Sequence, residues 1–180
     1  MVNAGFELVG PPERPHIRIA DYDPQWRIRY AAHAAVITAA LGNHLLQLEH
    51  IGSTSVPGLG AKPIVDILVV VEDAADESSY LPQLECAGYA LRLREPSFDE
   101  HRMLRPVDRG AHVHVFPRES GEIERYLLLR DLLRRDVQAR AAYEAEKRRL
   151  ATQDWDSMDN YAMAKTDIIE ALILRARGET

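Results

Sequence analysis

The sequence has a single cysteine, Cys86, among its 180 residues. That excludes an internal disulfide framework and any zinc knuckle built on cysteine pairs; Cys86 itself, near the end of a helical stretch, reads as a small apolar core residue. The longest apolar run, 64–71, is far too short to cross a bilayer, and the N-terminus has no basic-plus-apolar signal segment, so a cytoplasmic protein without membrane contact is expected. Excess positive charge is also missing. With 22 Lys and Arg against 28 Asp and Glu the net charge is −6, which argues against broad, sequence-independent nucleic-acid binding. No internal repeat or low-complexity tract is present.

What is there fits one soluble domain: 46% hydrophobic and 28% charged residues, at a length that supports a buried core. Gly10, Pro11, Pro12 and Pro15 mark residues 1–18 as an irregular arm, leaving 19–180 as the domain. Asp23-Pro24 reads as a helix start and Gly42 as its stop, with Trp26, Tyr30, Ile37 and Leu41 as the apolar stripe. Strands are expected at 45–51 and 64–71, the second nearly unbroken in apolar residues and so central. A helix at 77–87 ending at Gly88 and strands near 89–94, 100–105 and 111–117 follow. From about 122 the chain is expected to be helical in three segments, the last opening at 154–157. The sum is an α+β fold, a mixed sheet backed by helices with a helical C-terminal portion.

The densest chemistry lies at 49–71, EHIGSTSVPGLGAKPIVDILVVV. A Gly-Ser-Thr-Ser turn at Gly52, Ser53, Thr54 and Ser55 offers backbone N–H groups and hydroxyls suited to phosphate oxygens. Asp66, at the head of the apolar strand, is costly to bury unless a metal, Lys62 or backbone N–H groups pair it. Read blandly, the turn is a hairpin connector, since Val56-Pro57-Gly58 is itself a turn signal. Gly58–Lys62 is no P-loop, because Ala61 replaces the needed glycine and Pro63 the Ser/Thr. His112 and His114 alternate on one strand face and could approach Asp66 if the strands are neighbours; the plain alternative is one core histidine and one pocket-lining one. Lys165 falls on the apolar stripe of Met158, Tyr161, Ile168 and Leu172, either snorkelling outward or reaching into a cleft. Arg130 with Asp131 is a surface ion pair or a guanidinium held for phosphate.

These residues carry a resemblance. His50 to Leu59 followed by Ala61 to Ile67 is similar to the signature of the GrpB family, within the nucleotidyltransferase-fold superfamily. Asp23-Pro24-Gln25-Trp26, His112-Val113-His114-Val115, Arg130-Asp131, Tyr143 and Ala164-Lys165-Thr166-Asp167 extend it from about Ile19 to Ala176. The resemblance implies a nucleotidyltransferase-like fold and a divalent metal, Mg or Mn with Zn possible. It also implies transfer of a nucleoside monophosphate from a nucleoside triphosphate to an unknown acceptor. It assigns Asp66 as the metal-holding catalytic carboxylate; where the resemblance lacks further acids, His112 and His114 on their shared strand face are the candidate further ligands, a set that favours zinc or manganese over magnesium. Gly52, Ser53, Thr54, Ser55, Lys62, Arg130 and Lys165 stand around the phosphates. The superfamily's second carboxylate position is Leu68 here, and no third acid is evident, which weighs against two magnesium ions. The alternatives are a catalytically lapsed nucleotide- or CoA-binding accessory or sensor domain, and a His/Asp metal-dependent phosphohydrolase. Some members of the family are fused to dephospho-CoA kinase; this sequence holds no kinase domain, and that activity is not inferred.

Overall fold

In the computed structural model, residues 5–11 and 17–178 are described, Met158 and Asp159 by their backbone only. Six strands form one mixed sheet: β1 (Glu7–Leu8), β2 (Gln47–Ile51), β3 (Val65–Val71), β4 (Tyr89–Glu95), β5 (His101–Pro106) and β6 (Ala111–Pro117). Their spatial order is β1-β4-β5-β6-β3-β2. Only β3 and β6 run parallel, with Asp66 opposite His112 and Leu68 opposite His114; the other neighbours are antiparallel. Within the arm expected to be irregular, Glu7 and Leu8 pair with Arg94 and Leu93. The arm's residues 1–4 and 12–16, and the Met158 side chain, lie outside the described residues.

Strand alternation sorts β3 into two buried faces. Val65, Ile67, Val69 and Val71 join Val113 and Val115 under helix α1 (Gln25–Leu41) and the short helix α2 (Leu81–Cys86), with Trp26, Ile37, Leu41 and Leu84 completing that core. Leu68 and Val70 join Ile51 and Phe116 on the opposite face, under Ile123, Tyr126 and Leu127 of helix α3 (Gly121–Arg135). Being covered on both sides explains why β3 is apolar at nearly every position. Asp66 belongs to the α3 face, at the end of the sheet where β3 and β6 begin and β2 ends.

Local signals act much as their chemistry requires. Asp23 Oδ1 accepts from the Gln25 amide at 2.9 Å, and Gly42, with φ of 50°, ends α1. Ser120 caps α3, and Asp136 caps helix α4 (Val137–Ala151) by accepting from the Gln138 and Ala139 amides. Three expectations need correction. The stretch 77–87 is a 3-10 turn (Glu77–Ser79) followed by α2, because Tyr80 turns inward to donate to the Ala74 carbonyl at 2.7 Å and interrupts the helix. Cys86, the last residue of α2, is exposed and not core. The C-terminal region has four helices, α3, α4, α5 (Met158–Met163) and α6 (Thr166–Arg177), since the chain breaks at Ala164-Lys165.

The central strand should dominate stability. Ile67→Ala, at a fully buried position, is expected to cost about 2–5 kcal/mol in urea unfolding, whereas Val107→Ala, 91% exposed, should stay within about 0.5 kcal/mol.

Candidate functional site

A cavity of about 380 Å³ opens over the β3 and β6 ends, walled by the Gly52–Thr54 turn, α3, α4 and the α5–α6 break. The volume lies within the range of small-molecule sites. The turn is built by its own side chains and by the helices. Ser55 Oγ donates to the Gly52 carbonyl at 2.6 Å, and Thr54 Oγ1 is bonded to His50 Nε2 at 3.1 Å. Arg134 donates to the Ser55 carbonyl at 3.0 Å, and Glu144 accepts from the Gly60 amide at 3.1 Å. Lys147 Nζ donates to the Gly60 carbonyl at 2.5 Å and lies 2.9 Å from Ser53 Oγ. Ser53 is therefore the least buried turn hydroxyl at the cavity; Thr54 also lines it but is buried and bonded to His50, and Ser55, buried and bonded within the turn, does not line it. Gly52 has φ of 67°, and a Cβ there would run into the Asp66 carboxylate, so only glycine fits.

Asp66 Oδ1 stands 3.4 Å from His112 Nδ1 and 3.6 Å from His114 Nε2. Burial pushes its carboxyl pKa up, but hydrogen bonds and charge from the two histidines outweigh this and hold it well below the usual carboxylate range. Its side chain keeps 30% exposure, directed into the cavity. Behind His114 runs a chain across four neighbouring strands. His114 Nδ1 is 3.0 Å from His101 Nε2, and His101 Nδ1 is 2.7 Å from Glu95 Oε2. Burial lowers the His101 pKa to about 4, so at neutral pH this ring carries one proton. That proton lies on Nδ1, facing the carboxylate. His101 Nε2 then accepts from His114 Nδ1–H, which leaves His114 Nε2 as the ring atom facing Asp66.

A metal fits this donor set. The three ligand atoms lie within 4.8 Å of one another, and the two distances to Asp66 match the edge of a tetrahedron around Zn²⁺, about 3.4 Å for bonds near 2.1 Å. Two imidazoles and one carboxylate suit Zn²⁺ or Mn²⁺ better than Mg²⁺, which prefers oxygen. The backing of His114 by His101 and Glu95 is the outer-shell arrangement that fixes metal-binding histidines.

Three lysines reach the cavity. Lys62 is held below its ordinary pKa by burial, against the pull of Asp66. Lys165 sits in the α5–α6 break with Nζ 4.6 Å from the Tyr161 ring centre; burial lowers it to about 8, opposed by Asp66. Lys147, 3% exposed, is lowered to about 7 by burial and by the Lys165 charge. In a chain of net charge −6, this pocket gathers three lysines against one carboxylate, an arrangement suited to an anion. Arg130 borders the cavity, but its fork is taken up by Glu49 at 2.7 Å, Asp131 at 2.7 Å and the His50 carbonyl. Glu49 is bound in that way, and His50 is buried beneath Tyr30, ring centres 4.5 Å apart; neither lines the cavity.

Sequence reasoning missed Lys147, His101 and Glu95. Lys147 hid in the charged run Glu144–Arg149, yet its spacing with Ala139, Tyr143 and Leu150 is that of the buried stripe of α4. The His101–Glu95 pair had no local signal, since it depends on the β4–β5 register.

Comparison with known proteins settles the lineage. Residues 16–175 match the family described as GrpB protein. The chain belongs to the GrpB family. It is 49% identical over 170 residues to a UPF0157 protein of Streptomyces coelicolor, covering 94% of this chain and 89% of that one. A UPF0157 protein of Halalkalibacterium halodurans is 46% identical over 167 residues, covering 93% and 86%. The crystal structure of the conserved protein GrpB from Enterococcus faecalis superposes with a TM-score of 0.74 at 33% identity, covering 88% of this chain and 96% of that one. The α+β fold of this GrpB chain thus has an experimental counterpart.

Two outcomes follow from the site. Between pH about 7 and the ordinary lysine range, the folded chain binds fewer protons than the unfolded one at Lys62, Lys147 and Lys165. Ligand-free stability should therefore rise with pH from 7 to 9. It should turn down above about pH 10, where unfolded tyrosines ionise and the buried ones resist. Thermal unfolding across this range checks it, and Lys147→Met should flatten the rise. Separately, Glu95→Gln removes the carboxylate that sets the His101 tautomer, and Zn²⁺ or Mn²⁺ affinity by calorimetry should fall roughly 10–100-fold.

Proposed function

We propose that this cavity binds a divalent metal together with a phosphate-bearing ligand, and that the ligand is a nucleoside triphosphate. The observation that carries the reading is the meeting of two complementary sets on one floor: the Asp66, His112 and His114 donors and the Lys62, Lys147 and Lys165 side chains. Asp66, His112 and His114 would hold Mn²⁺ or Zn²⁺. Bound there, the metal would supply Lewis-acid polarisation of a phosphoryl oxygen. The lysines and Ser53 orient and neutralise the phosphates, while Tyr126, Leu129 and Ile169 offer apolar surface to the rest of the ligand. The reaction class proposed is transfer of a nucleoside monophosphate to an acceptor hydroxyl.

A second reading, a nucleotide- or CoA-binding accessory domain without turnover, is favoured by one observation. Leu68, directly inward of Asp66 on the same face of β3, offers no second carboxylate, and Glu49, opposite it on β2, is tied to Arg130. The two readings part on pyrophosphate release.

Thermal unfolding with nucleoside triphosphates and CoA, with and without Mn²⁺, Zn²⁺ or Mg²⁺, tests the binding. A ligand at a hundred times its Kd stabilises by about 2.7 kcal/mol, or roughly 5–10 °C here. A metal-dependent shift lost in Asp66→Ala is expected. An equal shift in the variant would remove Asp66 from the site, and no shift with any triphosphate would remove the nucleotide.

A further inference from the structure

The hydrogen bond between Ser53 and Lys147 has the form of a nucleophile beside its base. Ser53 Oγ lines the cavity, 2.9 Å from Lys147 Nζ, and also shares a hydrogen bond with the Tyr143 hydroxyl. Lys147 is fixed from its other side by the Gly60 carbonyl, 2.5 Å away. A neutral amine has two donors and one acceptor. With one N–H given to Gly60, its lone pair is free to accept the Ser53 proton. We propose that Ser53 is a nucleophile towards phosphorus and that Lys147 is its general base.

The groups around Lys147 favour the neutral amine near neutral pH. Lys165 faces it from the α5–α6 break and Arg148 lies along α4, both repelling its charge; Glu144 on α4 and Asp66 on β3 oppose them. Tyr143 lies beneath it, the ring centre 4.9 Å from Nζ. The balance is a pKa of about 7, in the range where a general base is most effective.

The step deepens the nucleotidyl-transfer reading and rests on it for the choice of donor. Ser53 Oγ bonds to the α-phosphorus of the triphosphate, and its proton passes to Lys147 Nζ. The bond from the α-phosphorus to the bridging oxygen breaks, and its electron pair leaves with pyrophosphate. In the second half an acceptor hydroxyl bonds to the same phosphorus and loses its proton to water. The Ser53 oxygen departs and recovers its proton from Lys147. Such a double displacement gives the first half-reaction a base, in a site that has Leu68 where a second acid would otherwise stand.

The arrangement also admits a purely structural role, in which Lys147 only clamps the turn. Lys147→Arg separates the two, because arginine keeps a donor for Gly60 but does not deprotonate. The probe is a fluorophosphonate, which reacts with activated serines whatever their substrate, read by intact mass and peptide mapping. Ser53 should be labelled in the wild-type protein, at a rate that rises with pH through about 7. The rate should fall roughly 100-fold or more in Lys147→Arg and vanish in Ser53→Ala. An unlabelled Ser53, a rate independent of pH, or equal labelling of a folded Lys147→Arg protein would each overturn the dyad. The wild-type pH profile decides even if that variant does not fold. In parallel, an α-labelled triphosphate with Mn²⁺ should leave label on Ser53. Fluorophosphonate labelling without any nucleotide adduct would support the dyad and overturn the nucleotide as its donor.

Discussion

The contact between Asp66 and the paired imidazoles of His112 and His114 is the constraint on which the surrounding architecture depends. A carboxylate at the head of an apolar strand stays ionised only when something compensates it. The parallel pairing of β3 with β6 supplies that compensation by setting His112 beside Asp66 and His114 one pleat further along the same face. Had β6 lain elsewhere in the sheet, Asp66 would face the cavity with lysines alone. The glycine at position 52 follows from the same contact, because any side chain there would occupy the carboxylate's place.

From that contact the polar network spreads in two directions. Across the sheet, Glu95 and His101 orient His114, so a side chain on β4 governs which atom faces Asp66 three strands away. Across the cavity, α4 holds the Gly52–Gly60 turn through Glu144 and Lys147, while α3 holds it through Arg134. The C-terminal helices are therefore more than packing for the sheet: they set the turn's shape and supply two of the three cavity lysines. Burying these ammonium groups opposes folding, and an anionic ligand would offset that cost. This is the usual sign of a site kept at the expense of stability.

Much of this was legible in the sequence, for physical reasons that can be named. The unbroken apolar run after Asp66 required a doubly covered strand, the alternation of His112 and His114 required a shared face, and the cap at Asp23 and the opening at 154–157 marked true helix starts. What escaped depended on tertiary register. Nothing local shows that β6 would lie parallel to β3, or that Glu95 would reach His101. The break at Lys165 also escaped, because the stripe through Tyr161, Ile168 and Leu172 is continuous with an unbroken helix. Arg130 illustrates the opposite case: in sequence it reads as an ion pair with Asp131 or as a guanidinium held for phosphate, and the structure shows the pair together with Glu49, brought across from β2.

The central claim is that Asp66, His112 and His114 form a metal centre facing an anion pocket. The most direct measurement is a crystal structure of the protein grown with Mn²⁺ and a nucleoside triphosphate, with anomalous data collected to locate the ion. The account predicts an anomalous peak bonded to all three side chains, with phosphate oxygens against Lys62 and Lys165. A cavity holding neither ion nor phosphate at saturating concentrations, or a metal bound away from Asp66, would contradict it.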